Sequence, residues 1–247
     1  MKTRMTYRAD FWIEVVSDLA YQVMNLFFVL VVFQHTNLLA GWTREEIIFI
    51  YGYFMIPYGI FSCFFDLWDF ADRYVIKGEM DRVLTRPVHN LVQLVLENAD
   101  PPALFGSLTG FLIMVYAGWQ LGLEPRWYDW LVLLVLVIGS AMIYGGIYIA
   151  LTSVAFYSDS KTGIVPMMYN IQNYGRYPVD IYNKTIRFLL TWVIPFAFVG
   201  VYPAAYFLDK EITRIFALLT PLVGAIVLML GVLIWNIGVK RYRGAGS

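Results

Sequence analysis

The chain has 247 residues, of which 60% are hydrophobic, 18% aromatic and only 15% charged, and its 18 basic residues balance 18 acidic ones. A water-soluble domain has about a quarter of its residues charged and cannot hide so large an apolar fraction, so the composition indicates a membrane protein. The lack of a basic excess argues against a nucleic-acid partner. A single cysteine, Cys63, excludes an internal disulfide framework.

Six long stretches without charged side chains predict six transmembrane helices, because each is long enough to cross the hydrocarbon core of a bilayer. Continuous apolar runs favour helices over the alternating strands of a membrane β-barrel. We therefore predict an all-α, polytopic membrane protein that forms a single transmembrane domain over residues 1–247. The predicted spans cover about residues 19–41, 45–67, 101–123, 130–156, 187–207 and 215–239.

The distribution of Lys and Arg predicts the orientation of these spans. Fourteen of the 18 basic residues fall at the two termini and in the two long loops, about residues 68–100 and 157–186, and four fall on the other side. This bias places both termini and both long loops in the cytoplasm. An uncharged stretch over residues 162–175 is short and rich in Asn, Gln, Tyr and Gly, so we assign it to the second loop.

Aromatic and aliphatic residues recur at helical spacing just before the first span, with charged residues on the opposite face. This pattern fits an N-terminal helix over about residues 5–18 that lies in the inner membrane interface. A simple extension of the first span into the cytoplasm fits the same pattern.

Two prolines eight residues apart interrupt the fifth predicted span. Proline removes a backbone donor and kinks or breaks a helix. We expect a break near Gly200–Pro203 and a short re-entrant or surface turn before Asp209; one kinked helix is the alternative. The predicted helix-breaking residues are Pro195, Gly200 and Pro203.

Residues needed for several chemistries are missing or far apart. His35 and His89 are predicted on opposite sides of the membrane, so they cannot share a metal, and we expect no metal site. The spans offer no core histidine as a general base and no mid-membrane carboxylate for ion coupling. The chain also lacks the glycine-rich loop that holds nucleotide phosphates. We therefore predict no catalytic residues and no cofactor bound by this chain.

Three acidic residues end the second predicted span at three-residue spacing: Asp66, Asp69 and Asp72. This spacing places them on one stripe of a helix that emerges into water. They fit an ordinary solvated helix end, or a polar collar at the inner mouth of a substrate path.

The first long loop contains a short amphipathic segment. Gly78 can end the preceding helix, and Pro87 limits the segment at its C-terminal end. Met80, Val83 and Leu84 fall at positions i, i+3 and i+4 and predict an apolar ridge. A two-turn helix is too short to be stable alone, so the segment is a candidate docking element whose ridge fills a partner's groove. The candidate residues are Gly78, Glu79, Met80, Asp81, Arg82, Val83, Leu84, Arg86 and Pro87.

The run from Ile76 to Pro87 resembles the loop between the second and third spans of type-2 ABC exporter permeases. It is most similar to a prokaryotic branch with a "GELD…L.RP" signature. Met80 stands where leucine is usual, a change that nearly conserves volume. Four further stretches match in order along nearly the whole chain: residues 7–11, 41–43, 175–178, and 193–198 with 202–204.

The resemblance implies a six-helix permease of the prokaryotic plasma (inner) membrane. Its segment 78–87 would be a coupling helix that docks on a separate cytoplasmic ABC ATPase, and ATP and Mg would be bound by that ATPase. The resemblance also implies an N-terminal interfacial helix, two re-entrant turns after the fifth span, and pairing with a second permease, either a related subunit or another copy.

These observations lead to the hypothesis of an ATP-driven exporter subunit, surrounded by membrane lipids. Spans with few charges suit a hydrophobic or amphipathic substrate. Candidate residues of the translocation path are Phe61, Phe64, Phe65, Trp192 and Phe196, although for each residue taken alone a contact with lipid or with another helix is the simpler explanation. The alternative is a non-transporting membrane anchor or sensor that recruits a cytoplasmic partner through the same loop. A channel is disfavoured because the spans contain no charged ring or filter-like glycine run.

Overall fold

A computed structural model describes residues 8–157 and 164–242 of the chain. These residues form helices, with one isolated β-bridge between Leu39 and Trp42 and no strand in the described ranges. The α-helices are α1 (Arg8–Phe33), α2 (Arg44–Phe64), α3 (Glu79–Leu84), α4 (Asn90–Glu97), α5 (Leu104–Gln120), α6 (Trp127–Thr152), α7 (Ile164–Gln172), α8 (Lys184–Phe188), α9 (Val201–Phe207) and α10 (Glu211–Val239). The prediction of an all-α protein is confirmed.

Five stretches of these helices are long and apolar enough to cross a membrane. They correspond to the first, second, third, fourth and sixth predicted spans. Their bounds are Phe11–Phe33, Arg44–Phe64, Pro101–Gln120, Trp127–Tyr157 and Arg214–Val239. The polytopic character of the chain is therefore confirmed.

The N-terminal segment differs from the predicted interfacial helix over about residues 5–18. Helix α1 runs from Arg8 to Phe33 without a break at residue 19, so residues 8–18 continue the first span instead of forming a separate interfacial helix. Residues 5–7 of the predicted helix lie outside the described part of the chain. The structure agrees with the alternative interpretation, in which this segment extends the first span.

Glycines set the closest helix contacts in the bundle. Helices α2 and α5 pack antiparallel: a Cβ added at Gly52 would lie 2.6 Å from the backbone nitrogen of Met114. Helices α6 and α10 run parallel: a Cβ at Gly139 would lie 2.8 Å from the Cα of Pro221, and one at Gly231 would overlap the carbonyl oxygen of Gly146. Only glycine lets two backbones approach so closely.

The bundle has two distinct ends. Helices α2, α6 and α10 all begin at one end, which we call the far end; there Lys210 Nζ, just before α10, lies 2.9 Å from Glu46 Oε1 in the first turn of α2. Helix α3 lies at the opposite end, which we call the α3 end.

Residues 184–207 enter and leave the bundle at the far end. The segments Lys184–Val193 and Phe196–Phe207 are bent by 72° at the break between them. Arg187 pairs with Asp180 at 3.0 Å, and Asp180 accepts a hydrogen bond from Trp42 of the α1–α2 turn at 3.3 Å. Between these ends, Ser140, halfway along α6, donates to the carbonyl of Phe198. The segment is thus a re-entrant pair, and the prediction of one crossing over residues 187–207 was wrong.

The break itself falls at Ile194 and Pro195, earlier than the predicted Gly200–Pro203. Pro195 is therefore the residue at the break, as its missing N–H and restricted φ favour. Gly200 immediately precedes α9, where a side chain would overlap the carbonyl oxygen of Gly175. Pro203 lies in the first turn of α9, where a backbone donor has no partner within the helix, so it does not interrupt the helix.

Residues 169–180 connect the two ends of the bundle. Tyr169 packs on Trp68 just after α2 ends, and their ring centroids are 5.0 Å apart. Tyr148 of α6 donates to Gln172, and Arg176 donates to Asn25 of α1. Asp180 then reaches the far end. This stretch, which we assigned to the loop 157–186, crosses the bundle because its polar groups bond to other helices instead of facing lipid.

Candidate coupling site

Local backbone geometry defines the start and end of α3. Gly78 has φ of +74°, a left-handed conformation that favours glycine, and it separates the π-helical turn Ala71–Ile76 from Glu79. At the other end the hydroxyl of Thr85 donates to the carbonyl of Arg82, and Pro87 lies two residues further along the chain. The predicted short helix between Gly78 and Pro87 is therefore present over Glu79–Leu84.

The apolar side of α3 is covered by its own chain. Met80 and Val83 are fully buried, and they belong to a cluster that includes Phe70, Leu94 and Trp235. The indole of Trp235, near the end of α10, donates to Asn90 at the start of α4. The predicted ridge for a partner's groove is thus wrong for these two residues, because they attach α3 to the membrane bundle.

Ion pairs hold the same helix from its polar side. Arg82 Nη2 and Arg86 Nη1 lie 2.8 Å and 2.9 Å from the carboxylate of Glu97 at the end of α4. Arg73 Nε lies 2.9 Å from Glu79 Oε2. Each pair is partly exposed and contributes on the order of 0–1 kcal/mol, but together they fix α3 against α4 and the preceding turn.

The pKa of Glu97 lies below its ordinary value. Desolvation, the largest single influence, raises this pKa, but hydrogen bonds from Gln93 and Arg82 and the charges of Arg82 and Arg86 together outweigh it. Glu97 is therefore ionised at neutral pH and attracts both arginines.

The remaining face of α3 is open to solvent. Asp81, Arg82, Leu84 and Arg86 are exposed, with Leu84 at 41%, and so are Thr85 and Pro87. The result is a small charged surface with one apolar side chain, which we call the α3 surface. It is held rigidly and faces away from the bundle.

The three predicted collar residues do not share a helical stripe. Helix α2 ends at Phe64, before all of them, and the chain turns irregularly through residues 65–69. Asp66 accepts a hydrogen bond from the backbone of Trp68, and Asp72 pairs with Lys77 at 3.2 Å. Asp66 and Asp69 line a polar cavity of about 240 Å³ together with Arg73, Asn98 and Asp100. Asp72 is not part of its wall.

The carboxyl of Asp66 has a pKa above its ordinary value. Burial raises its pKa, while the nearby Tyr169 hydroxyl and the Trp68 amide oppose the shift. Among the described residues, the Tyr169 hydroxyl has no partner of standard hydrogen-bond geometry. No group of three metal-ligating side chains able to hold a metal ion occurs in residues 8–157 and 164–242.

The five predicted path residues are not brought together. Phe61 and Phe196 are fully buried and both pack on Tyr144 of α6, with centroid distances of 4.9 Å and 5.7 Å. Phe65 lies against Gly145. Trp192 and Phe64 are exposed on the outside of this chain. Within one chain, Phe61 and Phe196 are thus core residues.

Sequence reasoning missed two functional candidates. Glu97 follows α3 in the sequence but belongs to a different helix, α4. The only sequence signal for this position is its i+4 spacing from Gln93, which donates a hydrogen bond to it. Arg176 was assigned to a cytoplasmic loop, although its neighbours Asn173, Tyr174 and Tyr177 already suggested a segment that bonds inside a bundle.

The described residues thus form a helical bundle with five apolar helices long enough to cross a membrane and a rigid charged surface at one end. The chain matches the family model described as ABC-2 family transporter protein over residues 19–246, and it therefore belongs to this family of ABC transporter permeases. It is a membrane component of an ABC transporter, a kind of protein that works with cytoplasmic ABC ATPases. Searches of curated proteins and of solved structures return no match.

Proposed function

We propose that this chain is the membrane-spanning subunit of an ATP-driven exporter of a hydrophobic or amphipathic substrate, coupled to its ATPase through residues 78–87. The ATPase would bind ATP and Mg, and this chain would use the resulting motion to change the access of a substrate path. A second permease, related or identical, would complete that path.

The attachment of α3 carries the proposal. A segment that only recruits a partner can be flexible, whereas a segment that transmits force must move together with the helices behind it. Met80 and Val83 are buried against residues of α4 and α10, and Glu97 holds Arg82 and Arg86. A push on the α3 surface would therefore reach α10 directly, which favours coupling over simple anchoring.

The orientation supports the same proposal. The excess of Lys and Arg near the α3 end favours a cytoplasmic location for that end. Both termini would then lie on the cytoplasmic side of a prokaryotic plasma membrane. Helix α3 would then face the compartment in which ATP is available.

Two changes of charge on the α3 surface test the docking role. The variants Asp81→Arg and Leu84→Asp change exposed side chains without touching the buried cluster. We expect each to reduce co-purification with the ATPase at least several-fold and to abolish ATP-dependent transport in proteoliposomes. Val92→Asp is the matched control, because Val92 is 50% exposed on the neighbouring α4. Unchanged co-purification and transport in both variants would contradict the proposal.

A further inference from the structure

Arg176 is a buried cation with no acidic partner among the residues that the structure describes. Its side chain donates to Oδ1 of Asn25 at 2.7 Å and to Oδ1 of Asn173, while its Nε has no hydrogen-bond partner. The guanidinium also lies over the rings of Tyr51 and Phe54, with centroid distances of 5.9 Å and 5.4 Å. Only 5% of the residue is exposed, and no carboxylate of the described residues forms an ion pair with it.

Such an arrangement is costly in the middle of a membrane bundle. A buried charge is normally compensated by an opposite charge, and neutral amide oxygens compensate it only in part. Packing alone would be served better by an apolar side chain of similar size. The position therefore suggests that an anionic group joins Arg176 at some stage of the protein's work.

An apolar cavity is lined by Asn173, one of the residues that accept a hydrogen bond from Arg176. It has a volume of about 320 Å³ and opens between the far half of α1 and the residues just after α7. Its walls include Val29, Val32, Ile47 and Ile181. Asn173 also lines the cavity and accepts the hydrogen bond from Arg176, so the guanidinium lies one side chain behind the wall.

We propose that this cavity and Arg176 together bind an anionic amphiphile. The apolar chain would occupy the cavity, and the acid group would accept hydrogen bonds from Arg176 in place of Asn173. Guanidinium groups bind carboxylates and phosphates through paired hydrogen bonds, so both acids fit. The cavity volume lies within the roughly 300–1,000 Å³ typical of small-molecule sites. This inference rests on the proposed export function when it identifies the amphiphile as the substrate class.

Direct binding to the purified full-length chain tests the site without any ATPase. The probes are dodecanoate, dodecyl phosphate and the uncharged dodecanol, which share one chain length. We expect one or both anions to bind saturably and with a clearly higher affinity than dodecanol. The Arg176→Gln variant should weaken anion binding about 10- to 100-fold and leave dodecanol binding unchanged, because only the charged contact is lost. The stronger anion identifies the preferred acid group.

Two further variants separate the parts of the site. Val32→Trp fills the cavity and should weaken all three probes. Arg187→Gln removes an exposed arginine of the following segment, which pairs with Asp180 outside the cavity, and should change none of them.

Affinities of the wild-type chain for dodecanoate and for dodecyl phosphate that are both no higher than its affinity for dodecanol would overturn the proposal, whether or not the Arg176 variants fold. So would unchanged anion binding in a folded Arg176→Gln protein. Selective anion binding without ATP-dependent transport would instead contradict the export function and leave this site standing.

Discussion

Met80 shows how a short helix at the surface of a membrane protein uses its apolar residues. With only six residues, α3 has few internal hydrogen bonds, and its stability comes from what lies beneath it. Met80 and Val83 supply that contact, while the exposed residues remain available to a partner. The buried residues of α3 thus attach the helix to the bundle, and its exposed residues are left for contact with a partner.

Truncation of Met80 should loosen α3 without altering its exposed face. We expect Met80→Ala to destabilise the local structure by about 2–5 kcal/mol, because the side chain is fully buried and leaves a cavity. ATPase binding should persist, while substrate transported per ATP hydrolysed falls. Amide hydrogen exchange of residues 79–84 and flux in proteoliposomes measure both effects. Val88→Ala, at an exposed position of the same loop, is the control and should change neither.

Glu97 should make the attachment of α3 dependent on pH. Its pKa is lower in the folded chain than the ordinary value of about 4.3, so its stabilisation is complete above that value and is lost as the pH falls through the lower, folded pKa. We expect Glu97→Gln to speed hydrogen exchange of the α3 amides at pH 7. In this variant, the protection of these amides should no longer fall as the pH is lowered through the pKa of Glu97. Asp69→Asn, an exposed carboxyl at the same end, is the control. Equal pH profiles for wild type and Glu97→Gln would contradict this role.

At the scale of elements, the crossing over residues 169–180 and the re-entrant pair after it change the topology. Hydropathy identifies segments that face lipid, and residues 184–207 are apolar enough to be mistaken for a crossing. The polar stretch before them crosses inside the bundle, where Gln172 and Arg176 find partners on α6 and α1. Composition does not distinguish a segment that crosses the bundle from a re-entrant pair. The contacts made by the two ends of each segment do.

Accessibility of single cysteines tests this topology. In a Cys63→Ala background, we expect a membrane-impermeant maleimide to label Lys184→Cys from the same side as Glu124→Cys, which lies in the loop before α6. Asp81→Cys on α3 should be labelled only from the opposite side. Labelling of Lys184→Cys together with Asp81→Cys would restore a single crossing over residues 187–207.

The packing of α6 on α10 gives a second test at this scale. A Cβ at Gly231 would overlap the Gly146 carbonyl, whereas one at Gly118 of α5 would meet only side-chain atoms, of Phe49 at 3.4 Å and of Leu123 at 3.7 Å. We therefore expect Gly231→Ala to lower the melting temperature of the purified protein by several degrees. Gly118→Ala should have little effect. Similar melting temperatures for both variants would mean that the α6–α10 contact adapts more easily than its geometry indicates.

At the scale of the whole molecule, α1 is the least enclosed of the long helices. Only 17% of its most apolar 18-residue window is buried, and Tyr21, Met24, Phe27 and Phe28 are exposed. Its buried residues include Val15, Gln22 and Val29; Gln22 accepts a hydrogen bond from Tyr51, and the half-buried Asn25 accepts one from Arg176. A helix with so large an exposed apolar side is suited to contact a second permease through that side.

Cross-linking tests that contact. In the Cys63→Ala background, we expect Met24→Cys to form an oxidative cross-link between two permease chains, because Met24 is 71% exposed on the apolar side of α1. Leu134→Cys, exposed on α6, should form none. A cross-link to a second copy indicates a homodimer, and one to a related subunit indicates a heterodimer. Absence of any product from both variants would contradict pairing through α1.

The sequence by itself determined the membrane class, five helices long and apolar enough to cross a membrane, and the short helix between Gly78 and Pro87. These features depend on local properties: the length of an apolar run, the spacing of side chains along a helix, and the conformational limits of glycine and proline. Nearly all of them can be read from a window of about twenty residues.

Only the tertiary structure decided which apolar residues face inward and which polar residues are satisfied. Met80 and Val83 point into the bundle because α4 and α10 cover them, and Arg176 lies in the interior because Asn25 of α1 accepts its hydrogen bond. Each of these outcomes depends on partners distant in the sequence. The free energy of burying a side chain is set by what surrounds it, and those surroundings exist only in the folded bundle.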